Sequence, residues 1–319
     1  MSSENQKPRS STVLIVLAFA TVYLVWGSTY LGIRYAIETL PPFLMAATRF
    51  LVAGTILFVW ATVKHGRVFT FAHWRKAFVV GGLLLLCGNG GVTWAEKFIP
   101  SGLAALLIAS EPLCVVVLNW MLSRRRPNYK VLAGVSIGLV GVALLVGGRF
   151  QSAVGSSFMG VVGAGVTLLA SLAWAGGSVY ANRRPIKVPT SMASGMQMLA
   201  GGSLLLLAGL VHGDLSRLHL SQTSWVSIIA FLYLTLFGSL LAFTAYSWLL
   251  KNVAPTRAVT YAYVNPVVAV LLGWLVAGES LTLSMLLGAT VIVGSVFLIT
   301  TFGADTVATN ESRSPGRRQ

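Results

Sequence analysis

Long runs of apolar residues, separated by short polar segments, make up most of this chain. Charged residues are absent from 150–182, and the stretches 131–148, 188–213, 258–278 and 280–304 are equally free of them. Because about 20 apolar residues in a helix cross the hydrocarbon core of a bilayer, we predict an all-α integral membrane protein with ten transmembrane helices. The predicted spans are 12–33, 41–63, 77–98, 101–122, 130–148, 158–181, 190–212, 225–250, 255–276 and 282–302.

The composition agrees with a chain that lies in lipid. Only 10% of the residues are charged and the mean hydropathy is +0.79, whereas soluble domains carry about 25% charged residues. The net charge of +15 would suit a nucleic-acid partner if the cations clustered on one face. They lie instead in short loops between apolar runs, so we expect no nucleic acid. Cys87 and Cys114 fall within apolar runs, which indicates packing and no disulfide framework.

Positive charge alternates between the two sides of the predicted spans. One set of alternate segments carries 18 Lys and Arg residues and the other carries 4. The positive-inside rule assigns the richer set, together with both termini, to the cytoplasm. We therefore predict a multi-pass membrane protein. The first apolar run continues to Ile33, which is too long for a cleaved signal peptide, so we expect it to be retained.

The two halves of the chain, 12–148 and 158–302, resemble each other. An offset of 154 residues pairs Pro112 with Pro266, and an offset of 148 pairs two interior tryptophans. Since five helices are an odd number, the second half must enter the membrane from the opposite side. Such inverted repeats build many secondary transporters, which bind substrate near the midplane between the halves. The other predicted segments are cytoplasmic tails at 1–11 and 303–319 and a periplasmic linker at 149–157.

A few charged residues lie where the topology does not explain them. Glu111 is near the middle of the fourth span, where a carboxylate costs about 2.5–3.5 kcal/mol on insertion scales. It could bind a substrate ammonium group or take up a proton; hydrogen bonding to a neighbouring helix is the structural alternative. Arg49, inside the second span, needs a counter-charge, and both Glu111 and Glu96 are available. Direct binding of a substrate carboxylate to Arg49 is the alternative to such a pair.

Interior aromatic and amide residues complete the predicted substrate site. Aromatic walls with a few polar groups are typical of small-molecule pockets, and an unsatisfied amide in lipid is costly. For each single aromatic residue, packing or an interfacial position is the alternative. Tyr261 and Tyr263 are two residues apart on one helix, so we expect them to face different directions. The candidates are Trp26, Tyr30, Asn89, Tyr180, Tyr246, Tyr261, Tyr263 and Asn265, with Trp174 as the counterpart of Trp26 in the second half.

Pro112 and Pro266 occupy matching positions in the two halves. Each proline removes one backbone hydrogen bond from a helix, which frees the carbonyl groups of Ile108 and Ala262. Such positions suit a hinge between moving parts, and a static bend is the alternative.

Other classes of function lack the residues that they need. The histidines fall in or near loops, so we expect no Ser–His dyad and no enzyme; they are His65, His73, His212 and His219. Because no glycine-rich segment continues into Gly-Lys-Ser/Thr, an ATP-driven pump is unsupported, and we expect no cofactor or metal. A channel or passive facilitator is the alternative to a carrier, although ion channels favour rings of charge or carbonyl groups from several subunits. The oligomeric state stays open.

A group of short motifs is similar to those of one family. The motifs are Trp26-Gly-Ser-Thr-Tyr-Leu-Gly-Ile-Arg34, Pro41-Pro42 with Arg49-Phe50, Gly88-Asn-Gly-Gly, Trp94-Ala-Glu96, Pro100-Ser-Gly102, and Tyr261-Ala-Tyr-Val-Asn-Pro266 with Gly278-Glu279. Over 12–302 the chain resembles the bacterial drug/metabolite transporter superfamily, in particular the EamA-type exporters of the YedA-like branch. The resemblance implies two EamA domains, a location in the bacterial inner (cytoplasmic) membrane, and export of small amphipathic molecules such as amino acids or drugs. This chain has Arg124-Arg125-Arg126 where the family often has Gly-Glu after the fourth helix, so the two halves should differ there.

Overall fold

The computed structural model describes residues 12–124, 126–146, 157–277 and 283–302. Within these ranges the chain is helical and contains no β-strand. The helices are α1 (Thr12–Ala36), α2 (Pro42–His65), α3 (Phe71–Ala95), α4 (Ser101–Ser123), α5 (Tyr129–Val146), α6 (Phe158–Arg183), α7 (Thr190–His212), α8 (Trp225–Asn252), the short α9 (Pro255–Ala258), α10 (Tyr261–Ala277) and α11 (Leu283–Phe302).

Seven of these helices are long and apolar enough to cross a membrane: α1, α2, α3, α4, α6, α7 and α8. Each of them has between 23 and 28 residues, or at least about 34 Å of helix at 1.5 Å per residue. Helices α5, α10 and α11 border residues outside the described ranges, and the count of ten spans stays a prediction. The predicted tails at 1–11 and 303–319, with all of the linker at 149–157 except Ser157, also lie outside the described residues.

Helix α3 begins earlier than the hydrophobic pattern predicts. It starts at Phe71, whereas the predicted span starts at 77. The backbone N–H of Thr70 donates to Nδ1 of His73 at 3.2 Å, which supports a helix start at this point. The first turns contain Arg75 and Lys76, so the helix extends beyond its apolar part toward the end of the bundle.

Three of the long helices depart from regular α-helical geometry in their interiors. Helix α3 has wider, π-helical hydrogen bonding over Gly82–Gly90, and α8 has it over Leu234–Phe243. Helix α4 is interrupted by a turn at Ala109 and Ser110. Such irregular segments are frequent at functional sites because they redirect side chains and leave backbone groups available.

Helices from the two halves of the chain pack against each other. Helix α2 lies along α7, and α5 lies along α11. The α2–α7 contact depends on small residues: a Cβ on Gly54 would come within 2.9 Å of the Leu199 backbone nitrogen, and one on Gly195 within 2.8 Å of the Phe58 nitrogen. Helix α1 packs against α8 and α10, whereas α6 packs against α3 and α4. Close backbone approach of this kind is typical of membrane helix interfaces.

Asp214 connects the end of α7 to the start of α2. Its Oδ2 accepts hydrogen bonds from the backbone N–H groups of Phe43 at 2.9 Å and Leu44 at 3.1 Å. Its Oδ1 lies 2.7 Å from Nδ1 of His212. A carboxylate at this position satisfies two N–H groups in the first turn of α2 and complements the helix dipole.

Candidate functional site

An interior cavity of about 60 Å³ lies where α1, α2, α3, α4, α6, α8 and α10 meet. This is room for ordered water, and the cavity must widen to take a substrate, because small-molecule sites usually have about 300–1,000 Å³. The irregular segments of α3 and α8 contribute to its wall, as do the two residues that flank the turn in α4, Ile108 and Glu111. The lining residues are Trp26, Thr29, Tyr30, Ile33, Arg49, Gly88, Asn89, Val92, Ile108, Glu111, Ala170, Trp174, Gly238, Tyr261 and Asn265.

Glu111 is completely buried and lines this cavity. It is the first residue of the helical segment that follows the interruption of α4, so its carboxylate is close to a helix N-terminus, where negative charge is favoured. The hydroxyl of Tyr261 donates to Oε2 at 2.6 Å. Oε1 has no hydrogen-bond partner among the described residues. One carboxylate oxygen is therefore fixed by the protein and the other is free to bind a ligand.

Four aromatic rings form a continuous cluster beside Glu111. The ring centroid of Trp26 lies 4.8 Å from that of Tyr261, 4.9 Å from that of Tyr246 and 5.4 Å from that of Trp174. Trp26 Nε1 donates to a backbone carbonyl at 3.2 Å, and Trp174 Nε1 donates to the Tyr246 hydroxyl at 3.2 Å. The polar tips of both tryptophans are thus satisfied within the protein, and Tyr246 supports the two indoles from behind without lining the cavity.

Arg49 lines the cavity and is almost fully buried. Its Nη2 donates to Oδ1 of Asn89 at 2.9 Å, and its guanidinium carbon lies 4.4 Å from the ring centroid of Phe50. Nε and Nη1 have no hydrogen-bond partner among the described residues. Arg49 makes a salt bridge with neither Glu96 nor Glu111 in this part of the chain. The guanidinium group therefore keeps donors available.

Glu96 is completely buried but does not line the cavity. It directly follows α3, and its backbone carbonyl accepts a hydrogen bond from Nη1 of Arg34 at 2.7 Å. Neither of its carboxylate oxygens has a hydrogen-bond partner among the described residues. Of the two acidic residues that the sequence offers as partners of Arg49, Glu111 shares the cavity with it, whereas Glu96 is the one whose charge interacts with the guanidinium group.

The remaining candidate residues divide between this cavity and other places. Tyr30 and Asn265 line it; Asn265 lies beside Tyr30, and neither of its amide atoms has a partner in hydrogen-bond geometry within the described chain. The hydroxyl of Tyr263 instead donates to the carbonyl of Val135 at 3.1 Å, because this side chain packs between α5 and α11. Tyr180 lies near the end of α6, outside the cavity.

The two prolines have different surroundings in the two halves. Pro112 lies in the first turn of the segment that begins at Glu111, where a missing N–H costs the helix nothing. Pro266 lies inside α10, where it does remove a hydrogen bond to Ala262. The two prolines thus differ in their local setting, because α4 is already interrupted before Pro112, and the hinge role of both stays a prediction.

Gly88 and Gly238 are cavity residues for which local sequence gives little signal. A Cβ on Gly88 would lie 2.6 Å from the Trp174 ring. The carbonyl of Gly238 accepts the hydrogen bond from Trp26. Both glycines belong to the π-helical segments. Gly88 allows the Trp174 indole to approach the backbone, whereas a Cβ on Gly238 would lie 3.2 Å from Cγ2 of Thr29.

Comparisons with known proteins agree with this architecture. The family described as "EamA-like transporter family" matches this chain twice, over residues 13–147 and 161–301. The uncharacterized inner membrane transporter YedA of Escherichia coli (strain K12) is 39% identical over 288 residues, which cover 89% of each chain. A probable amino-acid metabolite efflux pump of Salmonella typhimurium is 26% identical, over 87% of this chain and 91% of that protein. A crystal structure with 24% identity has a TM-score of 0.70 and covers 93% of this chain and 99% of its own. The chain belongs to the EamA-like transporter family.

Proposed function

We propose that this protein is a secondary transporter of small amphipathic metabolites that carry an amine, such as amino acids or amine-containing drugs. The observation that carries the proposal is the unpaired Oε1 of Glu111, which is buried in an aromatic cavity. A buried charged oxygen without a partner is costly. A ligand that supplies a hydrogen-bond donor and a positive charge removes this cost.

The chemistry of the cavity supports recognition of an ammonium group. A substrate –NH₃⁺ donates to the free oxygen of Glu111, while Tyr261 continues to hold the other oxygen. The faces of Trp26 and Tyr261 attract the same cation through their ring quadrupoles. An apolar part of the substrate then packs against the aromatic cluster, since such walls bury most of a small ligand's surface.

Arg49 supports a second element of recognition. Its free Nε and Nη1 donors can bind a substrate carboxylate, because the guanidinium fork matches that group. A zwitterion would thus place its carboxylate at Arg49 and its ammonium group at Glu111. The name of the Salmonella relative, an amino-acid metabolite efflux pump, agrees with this substrate class.

Contacts between helices of the first half and helices of the second half support two inverted repeats of five helices. They also support the count of ten spans. Helix α1 of the first half packs with α8 and α10 of the second, and α6 of the second half packs with α3 and α4 of the first. Helices α2 and α7, which are each the second helix of their half, pack against each other. This is the pattern expected around a pseudo-two-fold axis in the membrane plane. The repeats are proposed as 12–148 and 158–302.

The interior tryptophans support the same axis. Trp26 donates to the carbonyl of Gly238 in the π-helical segment of α8. Trp174 packs on Gly88 in the π-helical segment of α3. Each half therefore places its indole on the irregular helix of the other half. We propose alternating access, in which rocking of the two five-helix repeats against each other opens the cavity to one side of the membrane at a time.

We further propose an inner-membrane location with both termini in the cytoplasm. The alternating positive charge supports this orientation, and YedA is named an inner membrane transporter. We propose export as the direction of transport, because a relative from Salmonella typhimurium is named an efflux pump. Glu111 is the group proposed to exchange a proton for the substrate amine if transport is coupled to the proton gradient.

The test is transport in proteoliposomes with three probes of one shape: phenylalanine, phenylethylamine and 3-phenylpropionate. We expect exchange of labelled phenylalanine to accelerate when unlabelled phenylalanine is on the opposite side, which a channel or passive facilitator does not show. Phenylethylamine competes through Glu111 and 3-phenylpropionate through Arg49. An imposed pH gradient that drives accumulation supports proton coupling. Absence of saturable exchange with all three probes contradicts the proposed substrate class.

A further inference from the structure

A second concave surface lies at one end of the bundle, separate from the central cavity. It is a groove bounded by α3, α4 and α6, with about 2220 Å³ of empty space including its open side. This end is opposite to the Asp214 connection, because α3 begins here and α6 ends here. The groove and the central cavity share no lining residue. We call it the basic groove; its residues are Phe71, Ala72, Trp74, Arg75, Lys76, Phe78, Val79, Leu83, Leu118, Leu122, Gly176, Val179, Tyr180, Arg183 and Arg184.

Positive side chains form the rim of the basic groove. Arg75 and Lys76 lie in the first turns of α3, and Arg183 and Arg184 lie at the end of α6. None of the lining residues is acidic. Arg75 and Arg184 are exposed, and their side chains make no hydrogen bond or ion pair with the described part of the chain. Four cations of two helices thus line one groove, and two of them have all their side-chain donors free.

The walls of the basic groove are apolar. Phe78, Val79 and Leu83 on α3 face Leu118 and Leu122 on α4 across it. Leu83 is eight residues further along α3 than Arg75, or about 12 Å deeper at 1.5 Å per residue. Three of these side chains are well exposed in the isolated chain: Phe78 at 46%, Val79 at 41% and Leu122 at 59%. In a membrane they contact acyl chains.

The α6 side of the basic groove is open enough for a chain of methylene groups. A Cβ on Gly176 would have no atom within 4 Å. Tyr180 lies one turn closer to the rim, with an apolar ring and a polar tip. Such a residue is typical of the level at which lipid headgroups meet the hydrocarbon core.

We propose that the basic groove is a binding site for an anionic phospholipid of the leaflet on this side. The phosphate lies between Arg75, Lys76, Arg183 and Arg184, and one acyl chain extends along the apolar walls toward Leu83. Basic pockets between membrane helices recognise phosphate headgroups in this way. A free phosphate would use the rim alone, whereas the apolar walls, which extend about 12 Å from Arg75 to Leu83 by helix rise, suit a ligand with a long hydrocarbon chain.

The experiment measures lipid binding to the purified full chain in detergent by native mass spectrometry and by thermal unfolding. The probes are phosphatidylglycerol, phosphatidylethanolamine, diacylglycerol and glycerol 3-phosphate. We expect phosphatidylglycerol to bind and to raise the unfolding temperature, and its affinity to fall as salt is added. Diacylglycerol lacks the phosphate, glycerol 3-phosphate lacks the chains and phosphatidylethanolamine lacks the net charge, so all three bind more weakly.

Two variants and a control localise the binding. Arg75→Gln with Arg184→Gln should weaken phosphatidylglycerol binding by about tenfold, since each cation near a lipid surface contributes appreciably. Gly176→Leu, which fills the groove without changing charge, should also weaken it. The control, Arg67→Gln with Arg126→Gln, removes two exposed cations that do not line the groove and should leave binding unchanged.

Equal binding of phosphatidylglycerol and phosphatidylethanolamine, or equal loss in the groove pair and the control pair, overturns the proposal. Binding of glycerol 3-phosphate as tightly as the lipid shows that the rim takes free phosphate instead. Normal unfolding temperatures of the lipid-free variants exclude misfolding as the cause of a loss. No step requires transport, so this result is independent of the substrate proposed above.

Discussion

Glu111→Gln separates the charge of the cavity carboxyl group from its shape. Glutamine has nearly the same volume, and its side-chain oxygen can still accept the hydrogen bond from Tyr261, which is 2.6 Å long in the wild type. The amide –NH₂ then occupies the position of the free Oε1. This group donates hydrogen bonds and cannot accept one from an ammonium group, so the substitution removes only the proposed ammonium acceptor.

The expected loss of affinity follows from the burial of this site. A hydrogen bond to a charged group contributes about 1.5–3 kcal/mol. At about 1.4 kcal/mol for each factor of ten, phenylethylamine should bind about 10- to 150-fold more weakly to the variant. Binding of 3-phenylpropionate should not weaken, because its carboxylate is proposed to bind Arg49. The folded protein should not lose stability, since the substitution removes an unpaired charge from the interior.

The assay is equilibrium binding of both probes to purified protein in detergent, with unfolding temperatures measured in parallel. Glu96→Gln is the matched control: it makes the same chemical change at an equally buried carboxyl group that does not line the cavity. An equal loss of phenylethylamine affinity in Glu96→Gln and in Glu111→Gln would refute the proposed role of Glu111. An equal effect of Glu111→Gln on both probes would refute it too.

Further substitutions test the site and the helix packing. Tyr261→Phe removes the donor that holds the Glu111 carboxylate and should weaken phenylethylamine binding by about tenfold. The control is Tyr263→Phe, on the same helix but with its hydroxyl bonded outside the cavity, and it should leave binding unchanged. Equal effects of the two substitutions would contradict the role of Tyr261 in the site. Asp214→Ala leaves two helix N–H groups without their acceptor and should lower the free energy of unfolding by about 1–3 kcal/mol, measured by denaturation in detergent. Gly54→Leu should lower the unfolding temperature because its Cβ would meet another helix at 2.9 Å, while Gly165→Leu, with open space around it, should leave it unchanged.

Much of the helical framework follows from apolar patterning and charge. The seven long spans coincide with predicted ones because a charge-free run of about 20 residues has few other stable structures. The ends are less certain, as α3 demonstrates: polar residues in its first turns belong to the helix but do not contribute to the apolar run. The interruption of α4 and the π-helical segments also lack a clear pattern, since glycine and proline allow them without requiring them.

The site is predictable in its components but not in its pairings. Glu111 and Arg49 are conspicuous in the sequence because charges inside apolar runs are costly. Their partners are set by tertiary packing: Tyr261, which is 150 residues from Glu111, and Asn89 rather than a carboxylate for Arg49. The sequence also indicates that Tyr261 and Tyr263 face different directions, yet only the packing of α10 between its neighbours decides which of them reaches the cavity.

The packing of α1 against helices of the second half has a consequence for membrane insertion and assembly during synthesis. Trp26 and the backbone group that it binds in α8 are 212 residues apart. At about 5–20 residues per second, α1 is in the membrane for about 10–40 s before its partners are synthesised. Its hydroxyl groups suit this interval, because Ser28 and Thr29 donate to carbonyl groups of α1 itself, at 2.7 and 2.8 Å. Helix α1 can therefore remain in lipid without an unsatisfied hydroxyl donor at these positions. Assembly is completed only when the last helices have been synthesised and inserted.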